Sequence, residues 1–554
     1  MIKKMKILYK SILPGLIVLL LMVSCRKELD RTPLDQFSSQ TFWDTEQNTM
    51  LALTGVYRGN IQMEVNPTSA EFSATDWWSY HGLLYLEFAT DNAYDRRGDN
   101  SGFNTLTNGT LTATNSYLAN YWSLSYRRIA RCNYFLENIT KAPIDAAKIA
   151  RMSAETRFIR ACQYFYLSQY FGAVPLVEKT LTLTEANTVS KSTKDQVQAY
   201  AEAEFKAIVP ALPKQNAMPA AERGRATQQA ALAFLGRTYL AEQKFTEAAS
   251  TYKQLIDLNE NIIDPNYESL FNGTNETSKE IIFATQYIQD LAPNAMMQHN
   301  YPAKLGGYVL HCPMGSLVES FEFTDGTPFS YADARYSAAN VGLNRDPRLK
   351  YTVLYNGQNF KNIVYNSNPD DTASPDQLTS TKQGTRTGYA LKKFNSEAFS
   401  GGDLQNSGVD LPIIRYAEVL LSYLEAKLES GAAIDQALLD ETINKVRARA
   451  TVNMPKVTET NPSALRTILR RERRNELALE GIRYWDLLRW KNIGQVLNGD
   501  FYGAAFPGAT NLRKKGTAID PYSRWFVTSK AFRIGQDELW PVPQNEVNIN
   551  PKLK

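Results

Sequence analysis

TQQAALAFLGRTYLAEQKFTEAASTYKQLIDLN, residues 227–259, is the stretch on which the fold turns. Leu232, Leu235, Gly236 and Tyr239 recur at three- and four-residue steps and fall on one face of a helix. Gln243-Lys244-Phe245 reads as a turn, and Thr246 as the cap of a second helix carrying Ala248, Tyr252 and Leu255. Gly236 and Ala248 are small where two antiparallel helices must approach closely, and Tyr239 and Tyr252 fill the space beside them.

These offsets match the tetratricopeptide repeat, a helix pair that buries its apolar face by stacking on neighbouring pairs. Other helix pairs follow the pattern loosely, with long loops between them. Phe42, Glu46, Met50, Leu53 and Tyr57 recur near the helical period. Residues 117–139 and 146–171 predict two long helices, the second stopped by Gly172 and Pro175. An apolar stripe from Ile413 to Leu428 predicts another, with residues 441–450 as its partner. Asn461 as cap and Pro462 at the first position open a helix predicted to run to Trp490. Its Arg470, Arg471, Arg473 and Arg474 alternate with Glu472, Glu476 and Glu480, which favours an ion-paired helix face over a basic patch. Short strands are expected near residues 281–285 and 351–355. Polar loops span 71–114, 285–348, 366–408 and 498–525, and loops of that length on a helical scaffold point to function.

Of 554 residues, 43% are hydrophobic and 62 are aromatic, enough for a large core. Lys3, Lys4, Lys6 and Lys10 carry the whole net charge of +4; without them 57 basic side chains face 57 acidic ones. A neutral body has no electrostatic footprint for nucleic acid. Only His81, His299 and His311 are present, which argues against a histidine-rich metal centre. The four lysines precede an apolar run from Ile12 to Val23, too short for a secure membrane span, which ends in Ser24-Cys25. A small residue before a cysteine is what a lipoprotein signal requires, because the Cys25 thiol takes the lipid. The expected organisation is a signal peptide over residues 1–24, a lipidated tether over 25–40 and a single domain over 41–554. Cys132, Cys162 and Cys312 remain. The first two could pair across consecutive helices, and burial as small apolar residues is the simpler reading.

The chain has no Gly-x-Ser-x-Gly elbow, no Walker loop, no dinucleotide fingerprint, no His-Glu-x-x-His and no Cys-x-x-Cys, so no catalytic residues are assigned. Asp91, Asp95 and Asp99 could hold calcium but lack EF-hand spacing; a hydrogen-bonded loop is favoured, with no cofactor and no metal. What stands out is aromatic. Trp77-Trp78-Ser79-Tyr80-His81 lies in a polar loop close to Tyr85 and Tyr94. Adjacent tryptophans point in diverging directions, so at least one exposed ring is expected. An exposed ring stacks on the apolar face of a sugar, while Asp91, Asn92 and Arg96 would take hydroxyls. The competing reading is that the cluster staples the loop to the body.

The ordered set of motifs resembles the SusD/RagB outer-membrane lipoproteins over nearly the whole mature chain. LDRTPLD (29–35), AETRFIRA (154–161), FGAVP (171–175), FTDGTP (323–328), RDPRL (345–349), RYAEVLL (415–421) and NKVRARA (444–450) are each weak alone and specific in this order. The strongest block is RERRNEL (471–477) with EGIRYWDLLRW (480–490), followed by LWPVP (539–543). Arg483, Asp486 and Arg489 in it read as a structural polar network. The resemblance implies a mainly α fold, a tetratricopeptide-like superhelix of about four helix-pair units with long loops and minor short β elements. It also implies a non-enzymatic, lipid-anchored protein at the outer membrane facing the cell exterior. Such a protein would bind a glycan, polysaccharide or oligosaccharide, and deliver it to a SusC-like TonB-dependent transporter. The expected ligand residues are Trp77, Trp78, Tyr80, His81, Asp91, Asn92, Tyr94 and Arg96, with Tyr301 and Tyr308 from a second loop. The alternatives are a transporter-associated adaptor, a peptide-binding lid or an exported glycosidase.

Overall fold

Side-chain caps start five of the long helices. The computed structural model describes residues 42–58, 76–379 and 381–554. The signal segment, Cys25 and the tether over 25–40 lie outside the described residues. Among those described, eight helices have 13 residues or more: α1 (Glu46–Arg58), α2 (Ser116–Asn138), α3 (Ala146–Tyr170), α4 (Lys194–Ile208), α5 (Gln228–Ala241), α6 (Phe245–Asp257), α7 (Tyr416–Glu429) and α8 (Pro462–Glu476). Asn115, Asp145, Thr193, Thr227 and Asn461 each accept a hydrogen bond from a first-turn N–H, and Thr193 closes a full capping box with Gln196. Thr246 does not cap α6: the helix begins one residue earlier, after Gln243 turns the chain at φ +59°.

Each helix packs on the next in chain order, from α1 to α8, so the eight form four consecutive pairs of a superhelix. Helix α3 lies at the centre and is buried on every side over residues 158–170. The α5–α6 contact rests on Gly236, where an added Cβ would come 2.4 Å from the Tyr252 ring. Glycine inside a helix costs about 1 kcal/mol relative to alanine. Overpacking a buried contact costs about 1–3 kcal/mol, and Tyr252 is itself fully buried, so the clash should win. Gly236→Ala is therefore expected to lower stability by up to about 2 kcal/mol, read as a lower urea midpoint at constant m-value.

The long loops are tied down by two-stranded antiparallel pairings. Strand β1 (Ala93–Asp95) pairs with β3 (His311–Pro313), β2 (Ile281–Thr285) with β4 (Leu411–Arg415), and β5 (Gly499–Ala505) with β6 (Arg524–Lys530). The stripe expected as one helix from Ile413 thus begins in β4 and becomes helical at Tyr416. The helix expected to reach Trp490 stops at Glu476. Leu479 and Gly481 adopt φ of +62° and +79°, and a short helix α9 (Arg483–Arg489) resumes. Gly481 is required there, because a Cβ would meet the Leu83 carbonyl oxygen at 2.3 Å.

Arg471, Arg473 and Arg474 of α8 are ion-paired, but across the fold rather than along an exposed helix face, while Arg470 packs over the Trp490 ring at 4.6 Å instead of meeting a described acid. Arg473 meets Asp486 at 2.7 Å, Arg474 meets Asp91 at 2.8 Å, and Glu472 meets Arg348 at 2.5 Å. Arg489 binds Glu425 at 2.5 Å and Asp486 at 2.8 Å, and Arg483 binds Asp91 at 2.9 Å, which makes the polar network read from the sequence a buried structural one. One contiguous hydrophobic core runs from Trp43 to Leu553. Cys132, Cys162 and Cys312 are buried in it as free thiols.

Candidate functional site

The turn at residues 76–79 sits between packed layers, and both tryptophans are consumed by it. Trp77 is 1% exposed and stacks at 4.2 Å on Tyr121, 5.0 Å on Tyr166 and 5.1 Å on Tyr170, while its Nε1–H donates to Ser125 Oγ at 2.7 Å. Trp78, 4% exposed, packs edge-on against Phe283 at 5.1 Å with the Arg128 guanidinium 5.0 Å from its ring. The side chains do diverge, but each direction leads into core. Neither tryptophan is the exposed platform that the sequence predicts.

The remaining residues expected at the ligand are placed as follows. Tyr80 and His81 are buried, with the Tyr80 hydroxyl 3.0 Å and His81 Nε2 3.1 Å from His299 Nδ1. Tyr85 reaches the same nitrogen at 2.8 Å, so the first loop and the 299–311 segment form one hydrogen-bonded cluster. Burial pushes the His299 and His311 imidazoles down to about 3, leaving them neutral at physiological pH. Asp91 is held by Arg474 and Arg483, and Asn92 Nδ2 donates to Glu87 Oε2 at 2.8 Å. The Tyr94 hydroxyl donates to Asp99 at 2.9 Å, and the Tyr301 hydroxyl to the Ser396 carbonyl. Arg96 and Tyr308 alone keep partial exposure. Strand pairing brings them near one another, with Arg96 N–H donating to the Leu310 carbonyl at 3.1 Å. Of the three loop acids, Asp91 goes to arginines, Asp95 to Arg97 at 2.7 Å, and Asp99 to Tyr94 and Thr528. Their carboxylates do not converge, and no group of three His, Cys, Asp or Glu among the described residues could hold a metal.

A recess lies one layer away, on the other side of Trp78. The end of α1, the 76–79 turn, residues 221–225 and β2 with the residues after it enclose a cavity of about 550 Å³. Leu53, Trp78 and Phe283 supply an apolar floor. Thr285 Oγ1 donates to the Trp78 carbonyl at 2.6 Å and locks the strand to the turn. Arg128 and Asp76 form a buried pair at 2.6 Å beneath it. Tyr57 is fixed on another wall, its hydroxyl donating to Glu155 at 2.7 Å and accepting from Ala226 N–H at 2.8 Å. Arg58, Arg223, Arg225 and Gln286 supply polar groups. An apolar floor with a few convergent polar side chains is the usual build of a small-molecule site. Sequence reasoning missed Arg58, Arg223 and Gln286. They sit in unrelated segments, and only the polar character of the loop after β2 signals any of them. A second, hydroxyl-rich hollow of about 440 Å³ lies beside Arg97, Ser101, Thr110, Asn115 and Tyr117.

The model of the SusD family matches residues 268–554, and a model described as starch-binding associating with outer membrane matches 67–240. A solved SusD-like carbohydrate binding protein from Bacteroides fragilis is 46% identical, with a TM-score of 0.89 over 93% of this chain and 100% of that one. A SusD-like protein from Formosa agariphila is 23% identical over 500 residues, 87% of this chain and 90% of its own. A solved laminarin binding SusD-like protein, 20% identical with a TM-score of 0.67, covers 92% of this chain and 98% of that one and shares the fold.

Proposed function

The chain belongs to the SusD family, and on that premise we propose that it is a lipid-anchored outer-membrane protein. In this reading it binds a glycan and passes it to a SusC-like TonB-dependent transporter. The observation that carries glycan binding is the recess over Trp78, in a chain 46% identical to a protein described as carbohydrate binding. A sugar presents an apolar face and a rim of hydroxyls; the recess offers an apolar lining, to which Trp78 and Phe283, each 4% exposed, contribute only a sliver of ring, with guanidinium and amide groups around it. The anchor at Cys25 and delivery to a transporter rest on the sequence and on the family.

Binding fits the recess better than hydrolysis does. The carboxylates lining it, Asp76 and Glu222, are each locked to arginine: Asp76 to Arg128 at 2.6 Å, and Glu222 to Arg151 at 2.7 Å and to Arg225. Glycoside cleavage needs a pair of carboxyl groups free to flank the scissile bond, and these two are taken up by ion pairs.

Thr54 lines the recess from an exposed position on α1, so Thr54→Trp fills it without touching the core. Protein starting at Arg26 should be retarded in native gels by at least one polysaccharide, and Thr54→Trp should abolish that retardation. Retardation unchanged by Thr54→Trp would move the site to the hollow beside Arg97. No retardation by any glycan would remove the basis of the reading.

A further inference from the structure

The charges around the recess do not balance, and that imbalance says what kind of glycan fits it. Among the described residues four guanidiniums line it, Arg58, Arg128, Arg223 and Arg225, against two carboxylates, Asp76 and Glu222. Two of the four are neutralised at contact distance. Arg128 has Asp76 at 2.6 Å, and Arg225 has Glu155 at 2.6 Å with Glu222 beside it.

Arg223 is different. Its Nη1 donates to the Glu276 backbone carbonyl at 2.6 Å, and its closest carboxylate, Asp410, stands off at 3.7 Å. With the Gln286 amide oxygen turned toward it, Nε and Nη2 both donate to that oxygen at 3.2 Å, a neutral partner. Burial, helped by the neighbouring Glu276 carboxylate, pushes Asp410 up to about 7, and Glu276, itself raised by burial, also feels Arg223, so these two acids offset only part of the Arg223 charge near neutrality.

Arg58 has no carboxylate partner among the described residues. It makes no ion pair with a described residue, and its Nε is shut off from solvent without a hydrogen-bond partner. Burial alone shifts it, downward, with no acid opposing. It ends α1, where the helix dipole places roughly half a negative charge, which accounts for its tolerance there without supplying a hydrogen-bond partner. A partly dehydrated guanidinium with an unused donor is costly unless a ligand satisfies it.

We propose that this recess takes a glycan carrying an anionic substituent, a uronic-acid carboxylate or a sulfate ester, seated between Arg58 and Arg223 while its ring lies toward the Trp78–Phe283 floor. The inference rests on the glycan-binding reading and adds the chemical class. Guanidinium is the group suited to it, since its planar fork donates two parallel hydrogen bonds to an oxyanion. The apolar floor keeps water out of that contact, which strengthens it.

The test is calorimetric titration of the chain beginning at Arg26 with three oligosaccharides of equal length: a galacturonide, a sulfated galactan fragment and a neutral glucan. One of the two anionic probes should bind about tenfold or more tightly than the neutral one, and raising salt should weaken it. Which of the two wins separates carboxylate from sulfate. Arg58→Gln should cost about tenfold on the anionic probe and little on the neutral one, and Arg58→Lys, which keeps charge but loses the fork, should fall between. Circular dichroism confirms that each variant is folded. Equal affinity for the neutral glucan, indifferent to Arg58→Gln, would overturn the anionic class and leave glycan binding standing. Binding of none of the three by folded wild-type protein would overturn both.

Discussion

Replacing Glu476 by alanine is expected to destabilise the protein by about 3–5 kcal/mol, because it strands buried cations rather than merely removing an attraction. Glu476 Oε1 accepts from Arg415 at 2.9 Å and Arg449 at 2.8 Å, and Oε2 accepts from Arg348 at 3.0 Å. All three arginines are inaccessible to solvent, and so is the glutamate. Glu280, Glu472 and Glu480 still serve these arginines in the variant, which keeps the loss from being larger. Glu476→Gln retains the volume and one acceptor oxygen and should lose less. The same site predicts the acid limb of stability. Burial alone would raise the Glu476 pKa, but the guanidiniums of Arg449, Arg415 and Arg348 outweigh it and hold the carboxyl well below its ordinary value. For Glu425, Arg489 likewise overcomes burial and brings the group down to about 2. A carboxylate whose folded pKa is depressed stabilises the fold fully above its unfolded value of about 4.3 and loses that contribution as pH falls through the folded pKa. Urea midpoints of the wild type should therefore drop steeply between about pH 4.5 and 2, and Glu476→Ala should flatten that slope. Parallel slopes would mean that Glu476 is not the acid-sensitive link.

That network also marks where sequence reading ends. Some local signals were legible: Asn461 announces a helix start because its side-chain oxygen meets N–H groups two and three residues on, whereas Thr246, read the same way, lies inside its helix. Gly236 with Tyr252 announces a close helix crossing because no other residue leaves room for the ring. Long-range partners leave no such trace. Nothing in the spacing of α8 says that Arg474 will meet Asp91 rather than a neighbour on its own helix. The periodicity of residues 462–490 is continuous, and only the turn at Leu479 and Gly481, which fits the chain against Leu83, breaks it. The recess is harder still, since Arg58, Trp78, Arg223 and Phe283 come from four segments and share a wall only after the superhelix and β2 are in place. Loop polarity points to a functional region without distinguishing a ring that faces water from one that faces core.

Trp77 and Trp78 are the case in which that distinction is measurable, and Trp77→Ala should act on stability rather than on ligand. Its ring is the hub of a stack that also contains Tyr121, Tyr166, Tyr170 and, at 6.1 Å, Trp540. Trp540 in turn donates its backbone N–H to the Tyr170 carbonyl at 2.7 Å and its Nε1–H to the Tyr484 hydroxyl at 3.0 Å. Removing Trp77 empties the space where the 76–79 turn, α2, α3 and the C-terminal segment meet, and it takes a donor from Ser125. Truncating a fully buried tryptophan costs about 3–5 kcal/mol, of which the lost cavity lining is a large part. The urea midpoint should fall accordingly, while affinity for a bound glycan, measured well below the transition, should change less than about twofold, a difference below 0.5 kcal/mol. Trp78→Ala should lower both, because Trp78 is at once core and floor of the recess. If Trp77→Ala instead removed binding with the unfolding curve unmoved, its ring would have to face the ligand. The five-ring stack would then be open in solution, and the recess over Trp78 would no longer be the place to look for the sugar.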